Sequence, residues 1–206
     1  MLSVNALECV RGERRLFTGV NFELKPQTLL EVRGANGSGK TSLLRLLCGL
    51  LAPASGRIAW NGSDIHAAGE EYRAQIAYIG HLNAVKDELS GLENLLYSAR
   101  VAGLACDAAS ADKALRELGL SDFRRLPCKA LSQGQRRRVA LARLHLSAAR
   151  PLWILDEPFA ALDSAACELV HARLESHLQL GGMVVLSTHH DMAISAHSTQ
   201  RLELGQ

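Results

Sequence analysis

The sequence contains few aromatic residues, which make up 4% of its 206 positions, whereas apolar residues of all kinds make up 48%. Most of the apolar residues are Leu, Ala, Val and Ile, a composition that suits the core of an α/β domain. No apolar run approaches the 18 residues of a candidate membrane-spanning helix, and no basic segment followed by an apolar one opens the chain. We therefore expect neither a signal peptide nor a membrane span within this sequence.

Neither sign of charge is in large excess, because the sequence has 23 Lys and Arg residues and 21 Asp and Glu residues, which give a net charge of +2. A surface that binds nucleic acid is therefore not indicated, and we interpret the short basic run 136–138 as a solvated helix face. The five cysteines form no C-x-x-C pair. Single, scattered cysteines are typical of buried thiols in a reducing cytosol.

The strongest chemical signal is a glycine-rich stretch that matches the phosphate-binding pattern G-x-x-x-x-G-K-[ST] at every fixed position. The aliphatic run 28–33 before it predicts a strand, and the run 42–48 after it predicts a helix. The glycines allow consecutive backbone N–H groups to point inward, and the helix N-terminus adds the positive end of its dipole. The stretch and the residue that follows it are Gly34, Ala35, Asn36, Gly37, Ser38, Gly39, Lys40, Thr41 and Ser42.

The pattern assigns roles to two residues of this loop. Lys40 is expected to reach the β- and γ-phosphates of a nucleotide, and the hydroxyl of Thr41 is expected to bind Mg²⁺. The competing interpretation is a glycine-rich turn that binds nothing. The strand before the loop and the helix after it favour phosphate binding, since this is the context in which the motif acts.

The rest of the pattern predicts an α/β fold that is interrupted by a helical block. Asn61-Gly62 predicts a type I′ hairpin turn, and Ser90 with Glu93 three residues later predicts a capping box at the start of a helix. The predicted strands are 2–7, 21–24, 29–33, 57–60, 63–65, 76–79, 152–155, 183–187 and 201–204. The predicted helices are 42–48, 90–101, 110–118, 132–148 and 164–178. We predict one domain, 1–206, with the helical block at about 85–150.

An acidic pair follows the run 152–155, which has no polar alternation and is therefore expected to be a strand buried on both faces. Ligands of open α/β sheets bind at the carboxyl ends of the strands, so Asp156 is expected to hold Mg²⁺ beside the phosphate loop. Glu157 is next in the chain and is predicted to be the general base that polarises the attacking water. The alternative is an ordinary acidic pair after a strand, and the complete phosphate loop argues against it.

A pentapeptide at 131–135 opens the third helix of the helical block, with Ser132 as a natural N-cap at an anion-binding helix end. It resembles L-S-G-G-Q, the signature of ABC-type ATPases, with Gln133 in place of the first glycine. The signature follows Thr41 by about 90 positions and precedes the acidic pair, which is the order found in that family. The segment 160–163, which ends in Asp163, resembles the D-loop, and His189 resembles the switch histidine.

The resemblance covers essentially the whole sequence and implies the fold, a P-loop NTPase of the ABC type with a mainly parallel central sheet, an antiparallel β part and a helical subdomain. It implies ATP hydrolysis by a homodimer whose two domains face each other head to tail. Ser132 and Gly134 of one subunit then cap the γ-phosphate held by the other, with Gln135 and Asp163 also at the nucleotide. His189 contacts the γ-phosphate and orients the water.

Three positions leave alternatives open. His190 is adjacent to His189, although the place directly after Thr188 favours His189 as the switch histidine. Family members usually carry an aromatic residue after the first strand to stack on adenine, whereas 10–12 here is Val-Arg-Gly. Adenine is therefore expected either to stack on Arg11 or to rest on apolar side chains. The loop after strand 76–79 usually holds a glutamine that reaches the metal; His81 occupies that place, and Asn83 is a nearby amide.

A narrower resemblance is carried by the stretches 79–81, 91–95, 138–144 and 152–159, which look like the ATP-binding subunits of the bacterial haem exporter of cytochrome c maturation. This resemblance implies integral membrane subunits as partners and a location on the cytoplasmic face of the inner membrane. It implies that ATP hydrolysis frees a haem-loaded periplasmic chaperone. The sequence has no C-x-x-C-H site, so we expect no direct haem binding.

Other functions within the same fold agree less well with the sequence. DNA-repair members insert long coiled coils between the phosphate loop and the signature, whereas this sequence has no sustained heptads there. Translation members usually carry two such domains in one chain. A nucleotide-binding subunit that hydrolyses nothing is disfavoured because both Glu157 and His189 are present. An ATPase subunit for another transported substrate stays open as an alternative.

Overall fold

The computed structural model describes residues 1–189 and 194–205, and the regular elements below belong to these ranges. The strands are β1 Leu2–Arg11, β2 Arg14–Leu24, β3 Thr28–Arg33, β4 Ser55–Trp60, β5 Ser63–Asp64, β6 Ile76–Ile79, β7 Leu152–Asp156, β8 Met183–Ser187 and β9 Ser198–Glu203. The helices are α1 Lys40–Leu47, α2 Ile65–Ala74, α3 Gly91–Val101, α4 Ala108–Glu117, α5 Gln133–Leu146 and α6 Ser164–Gln179, with a 3₁₀ turn at Cys128–Ala130.

The described strands form one antiparallel and one parallel sheet. The antiparallel sheet has the order β2-β1-β4-β5, and the parallel sheet has the order β6-β7-β8-β3-β9. Strands β7 and β8 are buried along their whole length, which explains why neither shows polar alternation. Ser187 pairs with Asp156 on one side and with Val32 on the other. The carboxyl ends of β7, β8 and β3 therefore meet at one edge, where the phosphate loop begins.

The antiparallel sheet confirms the predicted hairpin and corrects two strand lengths. Asn61 and Gly62 have φ values of 50° and 86°, as a type I′ turn requires. The predicted strands 2–7 and 21–24 are too short, because a tight turn at Gly12, with φ of 60°, lets Arg11 pair with Arg14. Both strands consequently extend to this turn.

Helix α2 was not predicted, and the expected strand 63–65 ends one residue early because Ile65 already belongs to α2. Asp64 is the N-cap, and its Oδ1 accepts hydrogen bonds from the N–H groups of His66 at 2.9 Å and Ala67 at 3.4 Å. An Asp in this position stabilises a helix start by about 1 kcal/mol. Gly69, where φ is 50° and the backbone is not helical, is a poor helix former, so the sequence does not favour a helix here.

The described chain divides into two compact units. The first comprises Met1–His81, Arg150–Glu157 and Glu175–Gln206, and the second comprises Leu82–Ala149 and Pro158–Leu174. The first unit contains both sheets and a core of apolar side chains from β1, β3, β7 and α1. In the second unit α3, α4 and α5 pack on one another.

The helices of the second unit begin at strong caps. Ser90 Oγ accepts from the N–H of Glu93 at 3.2 Å, and Glu93 Oε2 accepts from the N–H of Ser90 at 2.8 Å, which confirms the predicted capping box. The buried amide of Asn94 donates to the carbonyl oxygens of Lys86, Leu89 and Ser90 and so fixes the segment that leads into α3. Among all described helices, none has the length and apolar character needed to cross a membrane.

Candidate active site

The loop 34–39 connects the carboxyl end of β3 to the amino end of α1. At Gly34, where φ is 136°, a Cβ would lie 2.4 Å from the carbonyl oxygen of Leu204, so the position requires glycine for space as well as for conformation. The N-cap Gly39 has a left-handed backbone and, within the described part of the chain, no side chain caps the first turn of α1. The first N–H groups of α1 therefore stay available to an anion.

Lys40 and Ser38 give this loop the character of a phosphate site. Lys40 is 7% exposed, and its Nζ donates to the carbonyl oxygens of Gly34 at 2.8 Å and Ala35 at 3.2 Å, which places the ammonium across the loop. Ser38 Oγ is buried and finds no hydrogen-bond partner among the described residues. A buried polar atom without a partner costs about 1–3 kcal/mol. The residues present therefore fit a bound phosphate group.

The carboxylate of Asp156 lies at the end of β7 with both oxygens engaged. Oδ2 accepts from Thr41 Oγ1 at 2.8 Å, and Oδ1 accepts from Ser187 Oγ at 2.7 Å. The carboxylate and the Thr41 hydroxyl together present adjacent oxygen donors, which are the ligands that Mg²⁺ prefers. The predicted metal-binding pair thus lies at one place in the first unit, although 115 positions separate the two residues in the chain.

Glu157 leaves the sheet in a strained conformation between two histidines. Its φ is 48°, a left-handed value that is uncommon for a residue with a side chain and that clusters at functional sites. His189 Nε2 lies 3.0 Å from Glu157 Oε1, and His81 Nδ1 lies 3.7 Å from Glu157 Oε2. The Glu157 side chain is 27% exposed, so water can reach it. The structure therefore gathers the predicted base and both predicted histidines.

Ser187 is a further candidate site residue, and the sequence alone does not indicate it. Its hydroxyl donates to Asp156 Oδ1 and accepts from the N–H of Glu157 at 2.9 Å, so one side chain fixes the whole acidic pair. In the sequence, Ser187 is marked only by its place at the end of an apolar run, just before Thr188 and His189. This place indicates a site residue only once β7 and β8 are known to be neighbouring strands in which Asp156 pairs with Ser187.

The signature and D-loop residues all belong to the second unit and have local structural partners. Ser132 Oγ accepts from the N–H of Gln135 at 3.2 Å, and Gln135 Oε1 accepts from the N–H of Ser132 at 2.8 Å, which makes a second capping box. A Cβ at Gly134 would lie 2.6 Å from the carbonyl oxygen of Ala161, so the signature glycine packs directly on the D-loop. Asp163 Oδ1 accepts from the N–H of Ala166 at 2.8 Å at the start of α6.

One expectation about side-chain exposure is wrong. The run 136–138 is not a uniformly solvated helix face, because Arg137 is 3% exposed and its Nε donates to the carbonyl oxygen of Pro158.

The second possible switch histidine, His190, lies outside the described residues.

The thiol at the carboxyl end of α1 is unreactive. Cys48 is the buried C-cap of α1. Burial raises the pKa of the Cys48 thiol strongly, and the negative charge of Asp156 raises it further. The raised pKa keeps the Cys48 thiol protonated. Because the thiolate is the reactive form, Cys48 acts as a small apolar side chain.

The sequence of the chain matches the family model for ABC transporters over residues 17–160. This range contains the phosphate loop, the signature and the acidic pair. The fold agrees with solved ABC ATPase structures. One is an ATP-binding subunit of an ABC transporter, with a TM-score of 0.80 and 29% identity over 91% of this chain and 79% of that one. Another is a dimeric ATP-binding cassette bound to ADP and Pi, with a TM-score of 0.81 and 24% identity over 100% and 97%. The chain is therefore a member of the ABC transporter family and an ATPase.

Curated relatives define the subfamily. The chain is 52% identical over its whole length to the full-length "Cytochrome c biogenesis ATP-binding export protein CcmA" of Dechloromonas aromatica. It is 51% identical to the protein of the same name from Nitrosospira multiformis over 96% of both chains. A third relative of that name, from Nitrosomonas europaea, is 50% identical over 99% of this chain and 95% of its own. The chain belongs to the CcmA family of cytochrome c biogenesis ATP-binding export proteins.

Proposed function

We propose that this chain is the ATP-hydrolysing subunit of a membrane complex that exports haem or frees a haem-loaded chaperone during c-type cytochrome biogenesis. The observation that carries the proposal is the placement of Glu157, which lies between His189 and His81 and directly follows the buried Asp156. A base, a candidate metal ligand and a phosphate loop at one sheet edge are the parts that nucleotide hydrolysis requires.

The residues of the first unit would divide the chemistry among them. The N–H groups of the loop 34–39 and the ammonium of Lys40 hold the β- and γ-phosphates. Glu157 accepts a proton from the attacking water while the bond between the γ-phosphorus and its bridging oxygen breaks. His189, which is already hydrogen-bonded to Glu157, orients that water. His81 takes the place of the usual glutamine beside the same carboxylate.

Thr41 and Asp156 would hold Mg²⁺. Their oxygens are 2.8 Å apart, and the second carboxylate oxygen is fixed by Ser187, so the donor set fits a hard divalent cation. When bound, Mg²⁺ supplies neutralisation of the negative charge on the phosphates.

The proposed assembly is a head-to-tail homodimer. Ser132, Gly134, Gln135 and Asp163 of one copy would contact the nucleotide held by the loop of the other, and the second unit would serve as the helical subdomain of a single ATP-binding domain. In support, the solved cassette of similar fold is a dimer bound to ADP and Pi. The exposed position of Ser132, at the first turn of α5, suits contact with a γ-phosphate across such an interface.

A mixing experiment tests the shared site. Ser132→Arg places a bulky charge at the signature, and Lys40→Ala removes the phosphate-binding ammonium. Each variant alone is expected to be inactive, because every site in its homodimer lacks one half. A mixture should recover part of the activity, since each mixed dimer contains one site with both halves intact. Phosphate release by the chains in complex with their membrane partner measures this recovery.

Ser110→Arg, an equally bulky change at an exposed position in α4, is the matched control and should leave phosphate release unchanged. Full activity of Ser132→Arg alone, or of Lys40→Ala alone, would refute a site shared between two copies.

The membrane partners and the location are part of the proposal, and the relatives named for cytochrome c biogenesis export support them. We propose that integral membrane subunits carry the export path and hold this chain at the cytoplasmic face of the inner membrane. Haem is handled by those subunits and not by this chain, whose cysteines are single and whose described helices do not cross a membrane. ATP can drive a partner only if that partner has different affinities for the two states of the dimer.

His81 is the proposed link to that partner, because the loop that carries it enters the second unit one residue later. His81→Ala is expected to leave basal hydrolysis measurable and to abolish its stimulation by the membrane partner. The measurement is phosphate release with and without the partner. His66→Ala, which removes an exposed histidine on α2, is the control. Stimulation of His81→Ala equal to that of the wild type would count against this role.

A further inference from the structure

The chain passes from the first unit to the second directly after His81 and again directly after Glu157. These two residues face each other in the first unit, with His81 Nδ1 3.7 Å from Glu157 Oε2. Each is followed by a residue that belongs to the second unit. Because Leu82 and Pro158 are covalently joined to His81 and Glu157, contacts that fix these following segments also restrict the positions of His81 and Glu157.

Arg137, in the second turn of α5, holds both following segments. It is 3% exposed. Its Nε donates to the carbonyl oxygen of Pro158 at 3.4 Å, and its Nη1 donates to Asn83 Oδ1 at 3.3 Å. Pro158 is the residue after Glu157, and Asn83 lies two residues after His81. One guanidinium thus contacts both chain crossings.

The same anchoring is reinforced from the next turns of α5. Arg143 Nη2 donates to the carbonyl oxygen of Asn83 at 3.5 Å, so Asn83 is held by its side chain and by its backbone. Pro158 cannot take part in sheet hydrogen bonding through a backbone N–H. Its carbonyl oxygen is therefore its one backbone hydrogen-bonding group, and this oxygen accepts from Arg137.

An arginine suits this position for a geometric reason. The planar guanidinium has five N–H donors in a fixed fork, so it can reach two acceptors at once, whereas the single ammonium of a lysine is a point charge on a flexible stem. A buried cation also destabilises the fold unless its donors are satisfied. The hydrogen bonds that Arg137 donates therefore favour the observed positions of Pro158 and Asn83.

We infer that Arg137 is a positioning residue for ATP hydrolysis, which fixes Glu157 and His81 relative to each other by anchoring the residues that follow them. Arg137 touches neither ATP nor water in this role. The inference rests on the proposed function, in which Glu157 is the base. Displacement of a catalytic group by about 1 Å can cost a hundredfold in rate, so a loosened anchor should be visible in turnover.

The neighbouring Arg138 provides a matched control on the same helix. Its Nη1 donates to the carbonyl oxygens of Leu118 and Gly119, both at 3.3 Å. Both arginines therefore donate hydrogen bonds within the second unit, but the acceptors of Arg138 lie at Leu118 and Gly119, whereas Pro158 and Asn83, which accept from Arg137, lie beside site residues. Loss of Arg138 removes hydrogen bonds from the same helix without removing those to Pro158 and Asn83.

The test compares Arg137→Gln, Arg137→Lys and Arg138→Gln in steady-state ATP hydrolysis, nucleotide binding and thermal unfolding. For Arg137→Gln we expect kcat to fall at least about tenfold while KM for ATP stays within about twofold, the pattern of a lost transition-state arrangement. Arg137→Lys should also have a reduced kcat, because lysine keeps the positive charge but lacks the planar guanidinium that reaches two acceptors. Arg138→Gln should keep the wild-type kcat. An equal fall in kcat for both glutamine variants, or full rescue by lysine, would overturn the inference.

Asn83→Ala keeps the test decisive if Arg137→Gln does not fold. Asn83 is only half-buried, and the change removes one acceptor without leaving a cavity in the core. Its kcat should fall with unchanged KM, and an unchanged kcat would refute the anchoring role. Two variants distinguish a failure of the proposed function from a failure of this inference. Full turnover by Glu157→Gln would overturn the proposed function, whereas an inactive Glu157→Gln beside a fully active Asn83→Ala would overturn this inference alone.

Discussion

Cells in which Lys40→Ala replaces the wild-type chain should leave haem loaded on its periplasmic chaperone and should make no mature c-type cytochromes. Lys40 is the buried cation of the phosphate loop, with its Nζ 2.8 Å from the carbonyl oxygen of Gly34. Its loss should weaken nucleotide binding and should remove a positive charge that is expected to stabilise the γ-phosphate during transfer. The measurement is haem staining of membrane proteins together with the haem content of the chaperone.

The design needs an expressed variant, a strain without a second copy of the gene, and a matched substitution. Lys25→Ala removes an exposed lysine between β2 and β3 and should leave cytochromes normal. Normal c-type cytochromes in the Lys40→Ala strain would refute the haem assignment, while the ATPase assignment would stand on its own.

Glu157→Gln is expected to bind ATP and to lose hydrolysis. The substitution keeps the size of the side chain and leaves the phosphate loop intact, but the amide cannot accept the proton of the attacking water. Removal of a positioned general base typically lowers the rate by about 100- to 10,000-fold. Because chemistry stops after binding, an ATP-bound dimer should accumulate and elute earlier in size exclusion than the wild type.

The control is Glu168→Gln on α6, which removes a carboxylate from an exposed helix position and should hydrolyse ATP normally. Hydrolysis by Glu157→Gln at the wild-type rate would show that the assigned base is wrong. A failure to bind ATP would instead point to a structural effect of the change at a backbone position with φ of 48°.

Local patterns were sufficient for much of the fold. The Asn61-Gly62 turn, the capping box at Ser90 and the buried strand β7 each depend on residues within a few positions of one another, and all three are confirmed. Helix α2 was not predicted, because Gly69 in its middle is a poor helix former. The first two strands were underestimated because polar residues on their exposed faces resemble a loop.

The site was predictable where chemistry follows a motif and unpredictable where it follows tertiary pairing. The motif and the strand end were enough to predict Lys40 and Asp156 as candidate site residues. Ser187 was missed because its partners lie 30 and 31 positions earlier and come near only through the parallel register of β7 and β8. Arg137 was misread as part of a solvated face, since the sequence does not show that Pro158 and Asn83 surround it.

The central claim is that this chain hydrolyses ATP at the phosphate loop and the carboxylates that end β7. The most direct measurement is steady-state phosphate release by the wild-type chain in complex with its membrane partner, with and without Mg²⁺. The account predicts turnover that requires Mg²⁺ and is lost in Glu157→Gln while ATP binding is retained. No ATP turnover by the wild-type complex, or turnover that is unchanged in Glu157→Gln, would contradict it.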